Sequence, residues 1–123
     1  MADQTLNVTP EVVQNLLTLR SEPKFGEEDF YPGAPSEEVR QKAETAVNAM
    51  LGRLATGLAK MPRKSYVLSE FQEMLRAFED EDSEEREQAC AYCERVMDIL
   101  KIESSDGLLN TWLYGLDPEA HGL

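Results

Sequence analysis

Apolar residues recur at three- and four-residue steps along most of this chain, the spacing that gathers them on one face of an α-helix. The longest such run is Val39, Ala43, Ala46, Val47, Met50, Leu51, Leu54 and Leu58. Ser36 stands before it with Glu37 and Glu38 behind, so a capping oxygen and two carboxylates meet the positive end of the helix dipole. The pattern predicts a helix from there to about Lys60.

Shorter runs flank it. Thr9-Pro10 reads as a helix start, with Thr9 capping free amides and Pro10 in the first turn. Val13, Leu16 and Leu17 then form a stripe that fades near Arg20, because Ser21-Glu22-Pro23 turns the backbone away from helix. Ser65 is placed to cap a third helix, whose apolar positions are Val67, Leu68, Phe71, Met74, Leu75 and Phe78. Asp82 or Ser83 caps a fourth, with Asp82 three residues before Glu85 in the register of a capping box. Its buried side is expected at Ala89, Cys93, Val96, Met97 and Leu100, widened by Tyr92 and Ile99, and its end near Lys101. After Ser104-Ser105-Asp106, the residues Leu108, Leu109, Trp112, Leu113 and Leu116 make a short apolar helix that Gly115 can end.

The segments between are equally informative. From Ser21 to Pro35 the chain carries three prolines, two glycines, the run Glu27-Glu28-Asp29 and the aromatics Phe25, Phe30 and Tyr31, which predicts a long loop. Those aromatics either pin the loop to the helices or offer contact area to a partner. Gly52 and Gly57 weaken the second helix, and close approach of a neighbour is the expected reason for them. Met61-Pro62-Arg63-Lys64 breaks that helix and, with Lys60, sets positive charge at its negative end. The expectation is an all-α fold: one domain over residues 1–123, an antiparallel helical bundle of four main helices plus a short C-terminal helix, with a loop at about 21–35 and a tail at about 117–123.

Charge sharpens the functional side. Twenty-four acidic against twelve basic side chains give a formal charge of −12, which repels nucleic-acid phosphates and anionic bilayers. A basic protein is therefore the expected partner, with no direct nucleic-acid or membrane contact, and the chain is expected as monomer or homodimer. Met1-Ala2-Asp3-Gln4-Thr5 has neither a basic nor an apolar leader region, which predicts a cytoplasmic protein.

Little in the chain spells out a reaction. Cys90-Ala91-Tyr92-Cys93 is a lone C-x-x-C inside a helix and just after an acidic run, a setting that disfavours thiolate, so packing is the expected role. His121, the single histidine, stands in the tail without companions. Glu79 to Glu87 gathers seven carboxylates around Arg86 but lacks the central glycine of a calcium loop. Glu37, Glu38, Glu44, Glu94 and Asp98 loosely echo the facing carboxylate pairs of helical nucleotide pyrophosphohydrolases, which keeps a metal-dependent nucleotide hydrolase open as an alternative. No catalytic triad, phosphate-binding glycine loop or basic nucleic-acid patch is visible, and no cofactor is expected.

Phe25 with Tyr31-Pro32-Gly33, the stretch from Arg86 to Leu100, and the segment Ile102-Glu103-Ser104-Ser105-Asp106-Gly107-Leu108-Leu109-Asn110-Thr111-Trp112-Leu113-Tyr114-Gly115 together resemble a family of small bacterial helical domains of uncharacterised function. The resemblance implies a helical domain and brings no catalytic residues with it. The expected function is a non-enzymatic acidic binding module, an immunity- or antitoxin-like inhibitor of a basic cytoplasmic effector. A DNA-mimic inhibitor of a nucleic-acid enzyme is the nearer alternative. Two contact patches are expected: Glu27, Glu28, Asp29, Phe30 and Tyr31 in the loop, and Glu79, Asp80, Glu81, Asp82, Glu84 and Glu85 before the fourth helix.

Overall fold

The computed structural model describes residues 3–28 and 31–115. Five α-helices follow one another, α1 (Pro10–Ser21), α2 (Glu37–Gly57), α3 (Lys64–Leu75), α4 (Ser83–Leu100) and α5 (Leu108–Gly115), with a 3-10 turn at Arg76–Phe78 extending α3. They form a helical bundle in which α2 packs against α1, α3 and α4, and α5 lies against α4.

The cap signals mark the helix starts unevenly. Thr9 Oγ1 accepts the Val12 amide at 3.1 Å, and Ser36 Oγ accepts that of Val39 at 3.1 Å, both as expected of N-caps. Helix α3 departs from expectation, since it begins at Lys64 rather than behind Ser65. The Ser65 amide and hydroxyl both donate to the Asp3 carboxylate, at 2.9 and 2.5 Å, so a residue 62 positions away supplies the cap. Asp3 is brought there by a short extended segment: Leu6 N–H donates to the Pro62 carbonyl and Lys64 N–H to that of Gln4. Helix α2 stops at Gly57, three residues before the expected Lys60, because the Lys60 and Met61 amides turn back onto the Gly57 carbonyl ahead of Pro62.

Helix α4 ends as predicted, at Lys101. That residue takes a left-handed φ of 59°, while the Ile102 amide reaches the Met97 carbonyl and the Lys101 amide that of Asp98. This Schellman arrangement is more often made by glycine. Helix α5 starts where Ser105 Oγ accepts the Leu109 amide, and Asp106 at its entrance pairs with Lys64 at 3.0 Å, tying it to the start of α3.

The apolar faces meet in one core that includes Leu16, Val47, Met50, Leu54, Phe71, Phe78, Cys93 and Val96. Two details of the expected stripes change. On α1 it is Leu19 that is buried, whereas Leu17 is 38% exposed. On α5 only Leu109 is buried, with Leu108, Trp112 and Leu113 half-buried, and Leu116 lies outside the described residues. Gly57 does mark a close approach: a Cβ there would stand 2.2 Å from the Tyr66 hydroxyl, which donates to the Arg53 carbonyl. At Gly52 the neighbour is the Arg20 side chain, 3.6 Å from the same imagined atom.

Candidate functional site

The loop between α1 and α2 is anchored by buried groups from both of its ends. Lys24 is only 1% exposed, and its ammonium donates to the carbonyls of Leu19, Arg20 (3.1 Å) and Glu22 (2.8 Å). It thereby serves the C-terminal carbonyls that α1 cannot satisfy itself. Burial pulls the lysine below its ordinary pKa, with the charges of Glu44 and Glu22 acting the other way. The Lys24 amide donates to Glu44 at 2.9 Å, and its carbonyl accepts from Arg40, which also pairs with Glu37 and Glu44. These contacts occupy much of the charge lining a cleft of about 550 Å³ between the loop, α1 and α2.

Phe25 is the apolar anchor. It is 1% exposed and holds a φ of 62°, a left-handed conformation that a bulky residue takes only when its surroundings enforce it. Its ring stacks on Phe78 at 5.5 Å and meets Tyr92 at 5.2 Å and the edge of Tyr31 at 6.3 Å. Its amide donates to the Tyr92 hydroxyl. Tyr31 and Glu28 exchange two main-chain hydrogen bonds, which folds the loop back on itself. Gly33 follows at a φ of 90°, where a Cβ would press to 3.2 Å from the Glu27 nitrogen.

Two of the expected contact residues prove to be interior. Tyr31 is 5% exposed and Glu85 is 2% exposed, and the Tyr31 hydroxyl donates to Glu85 Oε2 at 2.7 Å. Burial, then the bond to Glu85, drives the Tyr31 hydroxyl well above the ordinary tyrosine pKa. Neither residue is a surface contact, and Glu85 closes no capping box: Asp82 occupies the N-cap position of α4 without a side-chain hydrogen bond. Of the two roles open to the loop aromatics, pinning is the one that Phe25 and Tyr31 perform. Asp29 and Phe30, between them in the expected patch, lie outside the described residues.

The same bonds merge what the sequence presents as two patches. Tyr31 reaches Glu85, Glu28 accepts from Gln88 at 2.9 Å one turn further along α4, and Phe25 stacks on Phe78 just before the acidic turn. Loop and turn therefore form one face. It displays Glu27, Glu28, Glu79, Asp80, Asp82 and Glu84 as exposed side chains and Glu81 as half-exposed. Among the described residues none of these seven makes an ion pair, whereas Glu22, Glu37, Glu44, Glu70, Glu73 and Asp106 each pair with a cation.

The remaining candidates separate. Cys90 and Cys93 are buried free thiols, Cys90 pushed up to about 12 and Cys93 well above its ordinary pKa, chiefly by burial. Glu37 and Glu44 are drawn to Arg40, while Glu94 and Asp98 are exposed on α4. Among the described residues no three His, Cys, Asp or Glu side chains gather as a metal site, and no helix is long and apolar enough to cross a membrane. His121 lies outside the described residues.

The fold and its carboxylate face define a small all-helical domain with a single core. Residues 7–117 match the family described as a domain of unknown function, DUF4844, and the chain belongs to that family. It is also similar to a DUF3571 family protein from Acinetobacter baumannii AYE whose crystal structure is known. That protein shares 25% identity and a TM-score of 0.80, over 92% of this chain and 96% of the other. A comparison with curated proteins finds no match.

Proposed function

We propose that this chain is a non-catalytic acidic binding module that inhibits a basic cytoplasmic protein, in the manner of an immunity protein or antitoxin. The observation that carries the reading is the joining of the loop and the turn before α4 into one face of unpaired carboxylates, held by the Tyr31–Glu85 and Glu28–Gln88 bonds. Carboxylates without a cationic partner in the fold retain their attraction for an incoming cationic surface, and holding them on a folded scaffold spares the cost of ordering them on binding. The contact residues are then Glu27, Glu28, Glu79, Asp80, Glu81, Asp82 and Glu84, with Tyr31 and Glu85 acting as their internal support.

The test is recovery of a partner from a bacterium that carries the gene, using the wild-type chain and a Glu79→Lys/Asp80→Lys/Glu84→Lys variant at low and high salt. One basic protein held by the wild type at low salt, lost at high salt and lost from the variant is the expected result. Equal recovery on both chains removes the acidic face from the function. If the recovered protein is a nucleic-acid enzyme displaced by DNA, the inhibition works by mimicry of the duplex.

A further inference from the structure

Asp106 is the one aspartate of the chain that precedes a glycine. The two residues form the tip of the turn that leads into α5, with φ values of 57° and 86°. Across them the Leu108 amide donates to the Ser105 carbonyl at 3.1 Å, which closes a type I′ β-turn. Its flanks are held. Ser104 Oγ accepts the Asp106 amide, Ser105 Oγ accepts that of Leu109, and the Gly107 carbonyl accepts that of Thr111. The peptide unit between Asp106 and Gly107 is the exception. Among the described residues neither the Asp106 carbonyl nor the Gly107 amide has a hydrogen-bond partner, and both residues are exposed. A Cβ at Gly107 would meet only Thr111 Oγ1, at 3.9 Å, so the unit has room to turn over.

Turning it over converts type I′ into type II′ and keeps the Ser105–Leu108 bond. The ψ of the first central residue then moves from about 30° to about −120°. Glycine in the second position accepts the accompanying change of φ to the negative side. At a ψ near −120° the following nitrogen lies in line with Cβ, which brings the Gly107 nitrogen against the side-chain carboxyl carbon of Asp106. One contact opposes this approach. The Asp106 carboxylate, whose side chain is 51% exposed, pairs with Lys64 at 3.0 Å and must leave it before the carboxyl can swing toward Gly107.

We propose that Asp106-Gly107 is a self-modification site at which the folded chain converts aspartate to isoaspartate, with Lys64 as the group that slows the conversion. The Gly107 nitrogen forms a bond to Asp106 Cγ. One carboxyl oxygen leaves as water, carrying the amide proton and a proton that the carboxylate takes up from solvent, and a five-membered imide ring closes. Water then opens the ring. Attack at Cγ restores aspartate, whereas attack at the main-chain carbonyl frees that carbon as a carboxylate and leaves Cβ in the main chain. Water lost in the first step is regained in the second, so the atoms balance without a further reactant. The product lengthens the turn by one bond and moves the carboxylate away from Lys64. Helix α5, which buries only Leu109, thereby loses its tie to the start of α3. The site is independent of the acidic face.

The full chain is incubated at neutral pH in water enriched in heavy oxygen, since each ring opening inserts one solvent oxygen. Its peptides are then read by fragmentation that separates aspartate from isoaspartate. Labelled isoaspartate is expected at residue 106 of the folded chain and at no other aspartate. Asp106→Glu keeps the charge opposite Lys64, cannot close the five-membered ring, and should accumulate no label. Lys64→Met releases the carboxylate, and labelling should rise about two- to fivefold, the range that an exposed ion pair allows. All chains are held below their thermal midpoints. The isomerised chain, separated by ion exchange, should show faster hydrogen exchange in α5 with α1 to α4 unchanged. Absence of label at residue 106 in the folded chain when the urea-unfolded chain acquires it, label spread evenly over the aspartates, or no acceleration in Lys64→Met overturns the proposal. Equal protection of α5 in both forms overturns its release.

Discussion

The Tyr31 hydroxyl donates a 2.7 Å hydrogen bond to Glu85 Oε2 where both side chains are closed off from water. A loop residue thereby satisfies a carboxylate that α4 has turned inward. The cost of losing that partner exceeds the net value of the bond, because a buried acceptor left alone keeps its full desolvation penalty. Tyr31→Phe is expected to lower unfolding stability by about 1–3 kcal/mol in urea titration. Adding Glu85→Leu removes the stranded carboxylate, and the double variant should recover part of that loss. A double variant less stable than Tyr31→Phe by the full amount of Glu85→Leu would show the two residues to be independent.

Lys24 sets a comparable relationship at the other end of the loop. Lys24→Met keeps the length of the side chain and removes the donor to the Leu19, Arg20 and Glu22 carbonyls. With hydrogen bonds from a charged donor contributing about 1.5–3 kcal/mol, a loss on the order of 3 kcal/mol is expected. Hydrogen exchange should localise it, with amides of the last turn of α1 opening before those of α2.

The helices were legible because their apolar spacing, caps and breakers agree, and the end of α4 at Lys101 was legible even without glycine there. Three features were not anticipated. Glu85 carries the charge of a surface residue, yet it stands four residues before Ala89 and seven before Tyr92, on the buried stripe of α4. Position pointed inward and residue type outward, and the tyrosine that resolves the conflict is 54 positions away. Lys24 could have been read as a C-terminal cap of α1, since it follows the helix within reach of its last carbonyls. Asp3 had no such signal, because its role depends on a pairing between residues 4–6 and 62–64 that no local pattern announces. The two acidic segments were recognisable separately, and only the folded loop shows that they share a face.

Gly57 provides a test by sign reversal. In the native background Gly57→Ala should destabilise, since the new Cβ would stand 2.2 Å from the Tyr66 hydroxyl and 2.9 Å from the carbon bearing it. In a Tyr66→Ala background the obstacle is gone, and the helix preference for alanine, up to about 1 kcal/mol, should make the same substitution stabilising. Thermal unfolding of the four chains decides it. Destabilisation of equal size in both backgrounds would mean that Gly57 answers to something other than Tyr66.

The buried thiols predict silence toward reagents. Burial and the nearby charges of Glu94 and Glu87 raise Cys90 to about 12, and Cys93 lies well above its ordinary value. Thiolate is the reacting species, so neither should be modified by a disulfide reagent at neutral pH while the fold is intact. Both should react together once denaturant unfolds the chain. Rapid reaction of one thiol in the native protein would show a local opening of α4.

Asp3 predicts a pH dependence. The bonds from the Ser65 hydroxyl and amide hold its carboxyl below the ordinary value of 3.8. A carboxyl whose folded value is depressed stabilises the fold above its unfolded value, and that contribution disappears as pH falls through the folded value. Asp3→Asn keeps one acceptor oxygen and removes the charge, so the wild type should be the more stable chain at neutral pH. The difference should narrow as pH falls below about 3.8 and vanish once Asp3 is protonated in both states. Because the N-terminal segment and the start of α3 share this cap, the loss should appear first in the exchange of the Ser65 amide. A gap between the two chains that stays constant down to the acid limit would show that shape, rather than the charge of Asp3, holds the segment in place.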